Sequence, residues 1–560
     1  MFGVSLVTAC LLAATLPNTP EAIDYVVTIT EQADAPAQID ISVTFTGNAD
    51  GTTTLILPGA WGGEESLWTG IEALEIVGNG ARITPEEDPS RKTIHHRQNQ
   101  RLTVSYRIVQ DWPGIPVATG GNSYRPVVQP EYVQLIGQTV FVAPGNYESD
   151  SAVNIQLFTP EAWTLASDLQ HPDLTLNGVM TSVLVAGDFR VEHRDMGEGE
   201  LRVAMRGDWG FEDTEFTDAV HRVIQANHAY WNAPGENFLV TLLPLEAEPN
   251  RSSMGGTGLA DSFAFFATSN VDEDAVLQIL THEHAHTWIP GRLGGLAAGN
   301  EEPSGYWFSE GFTDFIAQRI GVRAGLWSVV DSLESWNNAL AEYAASPVAE
   351  RPNDAIRDGF WTDGDLQRLP YLRGMLFAAL IEHKIRTHTG GDQDLDDVLQ
   401  AMMEVGDTHA IAPDRFLETV LAVTGIDVSA EWQRYIISGE RIMLDSDTFT
   451  ACGQVQTLDQ LVFDYGMTGH RDEDGLFVLD SVDPDGPAAP AGFEPGMRFL
   501  GRIGGSYGDP TVDSVFSVER DGGSVEMRYR PTRGDILRVQ QIIPDPDKVT
   551  TSSCSAMLAG

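Results

Sequence analysis

Positive charge is scarce in this chain. Its 560 residues include 34 Lys plus Arg against 81 Asp plus Glu, which gives a formal net charge of −47. The lysines are Lys92, Lys384 and Lys548. Phosphate backbones and anionic lipid headgroups are bound by clustered Lys and Arg, which release the condensed counterions. The composition therefore argues against nucleic acid as a partner, and the acidic residues are expected to form a solvated surface.

Cysteine is almost as rare, and long apolar runs are missing. Cys10, Cys452 and Cys554 are too few for a disulfide scaffold and too scattered for a CxxC metal cluster. Cys452 and Cys554 are predicted either to pair in an oxidising compartment or to stay as two thiols. No segment reaches the roughly 18 uncharged apolar residues that a transmembrane helix requires, so none is expected.

The N-terminal residues 1–22 resemble an export signal. Their apolar run, residues 4–15, is too short to span a bilayer but suits the hydrophobic part of a secretory signal. The residues before Cys10 faintly resemble a lipoprotein signal, although no Lys or Arg precedes the run. We therefore expect a periplasmic or secreted protein, with a lipid anchor on Cys10 as one form of export. The alternative is an unprocessed, buried N-terminal segment.

The hydrophobic content of 42% indicates a folded chain, and the length corresponds to about three or four domains. Residues 23–208 show short alternating, β-branched runs, which predict an N-terminal β-sandwich or saddle domain. Residues 209–445 have mainly helical patterns, and residues 446–560 return to strands and turns. The predicted fold is a multi-domain α+β protein. The predicted helices cover residues 216–231, 308–320, 372–387 and 394–403, with another from residue 272.

An H-E-x-x-H motif at residues 282–286 lies in the helix predicted from residue 272. His282 and His286 are four residues apart, so both imidazoles project from one helix face and can bind one Zn²⁺. Glu283 is placed beside them to take a proton from the attacking water. The motif therefore predicts a catalytic zinc site.

A catalytic zinc needs a third protein ligand, and Glu310 is the candidate. Glu310 and Asp314 lie four residues apart on the helix predicted over residues 308–320, and the aromatic residues around them suggest burial. Asp314 is predicted to hold the second ring nitrogen of one histidine. Glu301 and Glu302 are rival ligands, but they lie in a stretch with Gly and Pro and without a helical pattern.

Four motifs lie between residues 282 and 398. They are the H-E-x-x-H-x-W of residues 282–288, the S-E-G-F-T-D-F of residues 309–315, the Y-L-R-G of residues 371–374 and the T-G-G-x-x-x-L-D-D-V of residues 389–398. In combination they resemble the glycyl aminopeptidase family of zinc metallopeptidases, which are relatives of the thermolysin-like peptidases. The similarity extends from about residue 24 to the C-terminus.

The resemblance implies an N-terminal β domain over residues 23–208, a thermolysin-like catalytic domain over 209–445 and a PDZ-like domain over 446–560. It also implies one Zn²⁺ per chain, held by the two histidines and Glu310, with Glu283 as general base. Tyr371 is implied as the donor to the oxyanion, because a phenol can donate a hydrogen bond without titrating near neutral pH. A PDZ-like domain would capture a peptide C-terminus, or it would act only as a scaffold.

The chain departs from the family at the segment that holds the substrate's free amine. The family form resembles G-G-L-E-H, whereas this chain has Gly258, Leu259, Ala260 and Asp261, so Ala260 stands in place of the glutamate. These four residues could still bind a peptide as part of an edge strand. The predicted function is a zinc metallopeptidase, most readily an aminopeptidase acting on small N-terminal residues. The alternatives are an oligopeptidase or endopeptidase without a free-amine requirement, and an inactive peptide-binding protein.

Overall fold

The computed structural model describes residues 22–560 except residues 34, 79, 119–121, 123, 248–251, 406–410, 473–475, 507 and 521–522. The predicted signal segment, with Cys10, lies outside the described residues apart from residue 22. The chain divides into two compact units, Met1–His284 and Ala285–Gly560. Both strands and helices are abundant, which confirms the α+β class. The three-domain division stays a prediction.

The first unit is dominated by strands, as the alternating patterns predict. Its strands are β1 (Ile23–Gln32), β2 (Ala35–Thr46), β3 (Thr52–Ile56), β4 (Ile71–Ile76), β5 (Arg82–Pro85), β6 (Arg91–His95), β7 (Arg101–Ile108), β8 (Val127–Val128), β9 (Tyr132–Ile136), β10 (Ala143–Pro144), β11 (Val153–Phe158), β12 (Thr164–Ser167), β13 (Val183–Gly187), β14 (Arg190–Asp195), β15 (Glu200–Met205), β16 (Phe238–Leu245), β17 (Met254–Gly258) and β18 (Ser262–Thr268). Its helices are α1 (Gly137–Val140), α2 (Leu176–Met180), α3 (Asp213–Tyr230) and α4 (Glu273–Ala285), with a 3₁₀ helix at Leu67–Gly70.

Two sheets share the N-terminal core, in the orders β11-β1-β2-β7-β4 and β10-β3-β6-β5. From Ile23 to Ile29 on β1 and from Ala37 to Phe45 on β2, every second residue is buried, which is the burial expected when one face of a strand covers a core. Tyr25, Val43, Leu55 and Ile94 belong to this core. The apolar residues that alternate in the sequence of these strands are therefore the ones buried in the core, as in a two-layer β domain.

A mixed sheet in the order β14-β15-β16-β18-β17 precedes the helix that carries His282 and Glu283. Its central strands β16 and β18 are parallel and buried along nearly their whole length, and they read as continuous apolar runs. β17 is the last strand and pairs antiparallel with β18. A further sheet, β12-β13-β9-β8, shares a hydrophobic core with β16 and β18. Val185 of β13 and Phe266 of β18 both belong to this core. Strand β17, which contains the predicted substrate-binding residue Gly258, is therefore an edge held by a well-packed sheet.

The second unit begins with helices. They are α5 (Tyr306–Arg323), α6 (Val329–Ala345), α7 (Asn353–Gly359), α8 (Gly364–Thr389), α9 (Leu395–Val405), α10 (Ala412–Thr424), α11 (Ser429–Glu431) and, near the C-terminus, α12 (Ser552–Ala559), with 3₁₀ helices at Gly299–Gly305 and Ala489–Ala491 and a π-helix at Trp432–Ile437. The predicted helices over residues 308–320 and 394–403 are confirmed as α5 and α9. No helix among the described residues is long and apolar enough to cross a membrane.

Helix α8 begins earlier than its sequence predicts. Pro370 suggested a start near residue 372, but the side chain of Asp363 accepts hydrogen bonds from the amides of Asp365 and Leu366 and caps the helix there. Pro370 therefore lies inside the helix, where its ring nitrogen cannot bond to the carbonyl of Leu366. Packing of the buried apolar face, which includes Leu369 and Leu372, outweighs that lost bond.

The C-terminal residues form a second group of strands. They are β19 (Gly453–Leu461), β20 (Met467–Arg471), β21 (Phe477–Val482), β22 (Arg498–Gly504), β23 (Ser514–Arg520), β24 (Gly523–Tyr529) and β25 (Ile536–Pro544). β20 to β24 form an antiparallel sheet in sequence order with its own core, and β19 pairs with β25. The β-rich pattern is confirmed. Among the described residues 446–560, the helices are Ala489–Ala491 and α12, and a PDZ-like identity stays a prediction.

A disulfide joins Cys452 to Cys554, which decides between the two alternatives for these cysteines. Their Cα atoms are 4.7 Å apart, and both residues are fully buried. The bond closes a loop across 102 positions and fastens α12, so it should stabilise the fold by roughly 2 to 5 kcal/mol.

Candidate metal centre and active site

Helix α4 carries the H-E-x-x-H motif. Its start is stabilised by the side chain of Asp272, which accepts a hydrogen bond of 2.9 Å from the amide of Asp274. The helix ends at Ala285, and His286 lies in the turn that follows. The amide of Ile289 still bonds back to the carbonyl of Ala285 at 3.0 Å, so the chain continues in a tight turn.

His282, His286 and Glu310 come together as a candidate metal site. Each offers one ligand atom, and the three atoms lie within 4.8 Å of one another. Nε2 of His286 is 3.3 Å from a carboxylate oxygen of Glu310. Across the part of the chain that the structure describes, these residues are the one group of three or more His, Cys, Asp or Glu so arranged. Two imidazoles and one carboxylate are a donor set that suits catalytic zinc.

Neighbouring groups orient these side chains. Nδ1 of His286 is 2.7 Å from the carbonyl of Ile289, which must accept a hydrogen bond from it, so Nε2 remains to face Glu310. The hydroxyl of Ser309 donates to Glu310. This contact was not predicted, although Ser309 lies in the S-E-G-F-T-D-F motif. A carbonyl thus holds Nδ1 of His286. The role predicted for Asp314 towards one of the two histidines stays a prediction.

Asp314 and the two rival ligands have other contacts. A carboxylate oxygen of Asp314 lies 3.9 Å from the guanidinium of Arg368. Glu302 accepts a hydrogen bond of 2.9 Å from the hydroxyl of Tyr306, and Glu301 lies 3.8 Å from Arg357. The metal-ligand group includes neither of these two glutamates.

Glu283 lies against the edge strand β17. A methyl group built on Gly258 would be 3.3 Å from a carboxylate oxygen of Glu283. Tyr124 reaches the same strand, because its hydroxyl donates a hydrogen bond of 2.9 Å to the carbonyl of Gly256. Burial raises the pKa of Tyr124, and the charge of Glu283 raises it further, so this hydroxyl stays protonated. Tyr124 lies in a segment without a periodic pattern, and nothing in the sequence pointed to it.

The turn after β17 contains Ala260 and Asp261, which are both exposed. The amide of Leu259 bonds to the carbonyl of Ser262 at 2.9 Å and closes the turn. Asp168, from the loop after β12, accepts hydrogen bonds from the hydroxyl of Ser262 and the amide of Val183. Burial raises the pKa of Asp168 to about 7. This buried carboxyl was not anticipated, because its partners are distant in sequence.

Tyr371 lies on α8 and is half-buried, with the guanidinium of Arg368 5.5 Å from its ring centre. Helices α5 and α8 are in main-chain contact close to this residue. A methyl group at Gly374 would lie 1.9 Å from the carbonyl oxygen of Trp307, and one at Gly311 would lie 2.3 Å from the Cα of Gly374. Neither methyl group fits. The glycine of the Y-L-R-G motif therefore allows the helix with Tyr371 to touch the helix with Glu310.

One comparison with known proteins matches the segment that carries these residues. Residues 275–355 match the family model of the M61 glycyl aminopeptidases, a segment that includes the three metal-ligand candidates and Glu283. A search of curated proteins finds no match.

One solved structure shares the fold of this chain, and a second is similar over a smaller part of it. An aminopeptidase N family protein from Idiomarina loihiensis is 14% identical, with a TM-score of 0.68, and the match covers 96% of this chain and 100% of that one. An M1 zinc metallopeptidase from Deinococcus radiodurans is 15% identical, with a TM-score of 0.48, over 76% of this chain and 95% of that one. The match over residues 275–355 confirms the resemblance to the glycyl aminopeptidase family that the motifs predicted, and it covers the segment that carries the metal-ligand candidates.

Proposed function

We propose that this protein is a zinc-dependent metallopeptidase that hydrolyses peptide bonds, most readily as an aminopeptidase acting on small N-terminal residues. The observation that carries the proposal is the convergence of His282, His286 and Glu310, with Glu283 next to His282 in the same helix. The fold match to an aminopeptidase N family protein and the family match over residues 275–355 support it. Metal analysis of the purified protein tests the first step, with one zinc per chain as the expected result.

In the proposed reaction, different residues of the chain have different roles. Zinc held by the two histidines and Glu310 would polarise the scissile carbonyl and lower the pKa of the attacking water. Glu283 takes the proton from that water and returns it to the leaving amine. Tyr371 donates a hydrogen bond to the oxygen on which negative charge develops. Strand β17 aligns the peptide by backbone hydrogen bonds beside Glu283.

Tyr371→Phe should lower kcat by about 10² to 10³ with little change in KM, because the lost hydrogen bond acts mainly in the transition state. Steady-state kinetics on one alanine peptide measure both constants. Tyr435→Phe is the matched control, since Tyr435 is a half-buried tyrosine stacked on Arg434 of the π-helix. An unchanged kcat with a raised KM would assign Tyr371 to substrate binding instead.

The amine site decides between exopeptidase and endopeptidase action. Ala260 offers no carboxylate, and a buried substrate ammonium without a nearby carboxylate is unfavourable. The exposed Asp261 next to it is the candidate replacement. Glu302 is a weaker candidate for the amine site, since it already accepts a hydrogen bond from the hydroxyl of Tyr306.

Asp261→Asn should therefore reduce the preference for free over N-acetylated peptides, and Ala260→Glu should increase it. The measurement is the ratio of kcat/KM for matched free and acetylated peptides. If wild type cleaves both equally, the endopeptidase alternative is the better description. A free-amine preference that survives Asp261→Asn, together with the Gln variants of Glu301 and Glu302, would place the amine site elsewhere.

The inactive peptide-binding protein is the rival from another class. It would have no need of a base beside a three-ligand metal site, so zinc-free protein without peptidase activity would favour it. Capture of a peptide C-terminus by the C-terminal β module belongs to that alternative and stays a prediction. Export is proposed as well, because a disulfide between Cys452 and Cys554 suits an oxidising compartment.

A further inference from the structure

Strand β17 is the last strand of its sheet, and no strand among the described residues pairs with its outer edge. A peptide added to this edge would bond to the backbone groups that point away from β18. The proposed peptidase places its substrate here, so the length of open edge sets how much extended peptide the strand can hold. The inference below rests on that proposed function.

The hydrogen bonds to β18 show which residues of β17 face outward. The amide of Leu259 bonds to the carbonyl of Ser262, and the amide of Thr268 bonds to the carbonyl of Ser253, both at 2.9 Å. Neighbouring residues of a strand alternate between its two edges. Odd-numbered residues therefore face β18. The outward-facing residues are Met254, Gly256 and Gly258.

Tyr124 already occupies the middle position of this edge. Its hydroxyl lies 2.9 Å from the carbonyl oxygen of Gly256, which is the distance at which an added strand would place its own amide nitrogen. The ring is held by edge-to-face contacts with Trp61 and Phe266, whose centroids lie 5.7 Å and 5.4 Å away. The hydroxyl is therefore fixed by packing and cannot simply swing aside.

Only Gly258 remains open between Tyr124 and the turn that ends the strand. Its carbonyl accepts a long hydrogen bond of 3.3 Å from the hydroxyl of the half-buried Thr257, which rotation of that side chain would release. The turn at Ala260 closes the other end, because the amide of Ala260 bonds at 3.3 Å to the carbonyl of Thr181. A bound strand thus has one pairing position, beside Glu283.

We propose that Tyr124 is a specificity-determining residue that limits strand pairing to the position at Gly258 and thereby selects short peptides. A residue paired with Gly256 would lie two positions along the substrate from the residue paired with Gly258, about 7 Å away. The hydroxyl of Tyr124 already donates to the carbonyl of Gly256, the acceptor to which the amide of this substrate residue would donate. Longer peptides therefore gain no affinity from added length on this side of Glu283.

The experiment compares alanine peptides of two to six residues. In wild type, kcat/KM should stay flat or fall with length. In Tyr124→Ala, the ratio of kcat/KM for hexa-alanine to that for di-alanine should rise about tenfold, the size of one to two recovered hydrogen bonds. Tyr124→Phe keeps the packing and frees the carbonyl, so the ratio should rise about threefold. Tyr147→Phe, which loses a hydroxyl contact with the amide of Thr46, is the control and should leave the ratio unchanged.

A second measurement separates this inference from the proposed function. In a Glu283→Gln background, the dissociation constants of the same peptides are measured with and without Y124F, so no turnover is needed. If wild type cleaves no peptide but hexa-alanine binds about threefold tighter with Y124F, the proposed function fails and the inference holds. The same length dependence with and without Y124F, in binding and in turnover, would overturn the inference. If Tyr124→Ala does not fold, the length dependence measured with Tyr124→Phe alone decides whether the inference holds.

Discussion

Glu283→Gln should lower kcat by about 10² to 10⁴ and leave the zinc content at one per chain, because the change removes a general base but no metal ligand. The carboxylate lies beside Gly258 of the edge strand, where a peptide backbone would be aligned. Turnover of an alanine dipeptide and metal content by mass spectrometry are measured on the same preparation. The amide is nearly isosteric with the carboxylate, so folding should be unaffected.

Glu334→Gln is the matched control for this substitution. Glu334 is an exposed residue of α6, so the same chemical change there should leave kcat at the wild-type value. Full turnover in Glu283→Gln would mean that another group accepts the proton, and the proposed mechanism would then be wrong.

His286→Ala should remove bound zinc and activity together. His286 supplies one of the three ligand atoms that lie within 4.8 Å of one another. Loss of groups that merely support metal ligands typically weakens metal binding by about 10- to 100-fold, so the loss of a ligand itself should exceed 100-fold. Titration of the apoprotein with zinc against a competing chelator measures the dissociation constant.

The exposed His171 provides the control for the metal experiment. His171→Ala should keep one zinc per chain with an unchanged dissociation constant. Wild-type zinc affinity in His286→Ala would show that the metal binds at another place, and the ligand assignment would have to be abandoned.

The parts of the site that are local in sequence could be predicted. His282 and Glu283 lie in α4, and His286 lies in the turn directly after it, so their short spacing in sequence already places them close together. Glu310 could be predicted as well, because a carboxylate among aromatic residues needs a compensating partner. The start of α8 could not be predicted, since Pro370 suggested a later start and the cap is formed by Asp363, seven residues before Pro370.

Contacts between segments that are distant along the chain could not be predicted from the sequence. Tyr124 bonds to a carbonyl 132 positions away, and the hydroxyl of Ser262 bonds to a carboxyl 94 positions away, at Asp168. Such pairs depend on how sheets pack, and no periodic pattern encodes them. His284 is another example. It is buried against Phe238 of β16, with ring centroids 4.8 Å apart, a contact that the spacing of the H-E-x-x-H motif does not encode.

The contact between α5 and α8 has a consequence for how such a protein can change over time. Because the two helices meet main chain to main chain at Gly311 and Gly374, the placement of Glu310 relative to Tyr371 does not depend on the volume of neighbouring side chains. Side chains around this contact can then vary in size while the spacing between Glu310 and Tyr371 persists. Substitution of those side chains can therefore change substrate preference with the reaction chemistry unchanged, provided that both glycines are retained.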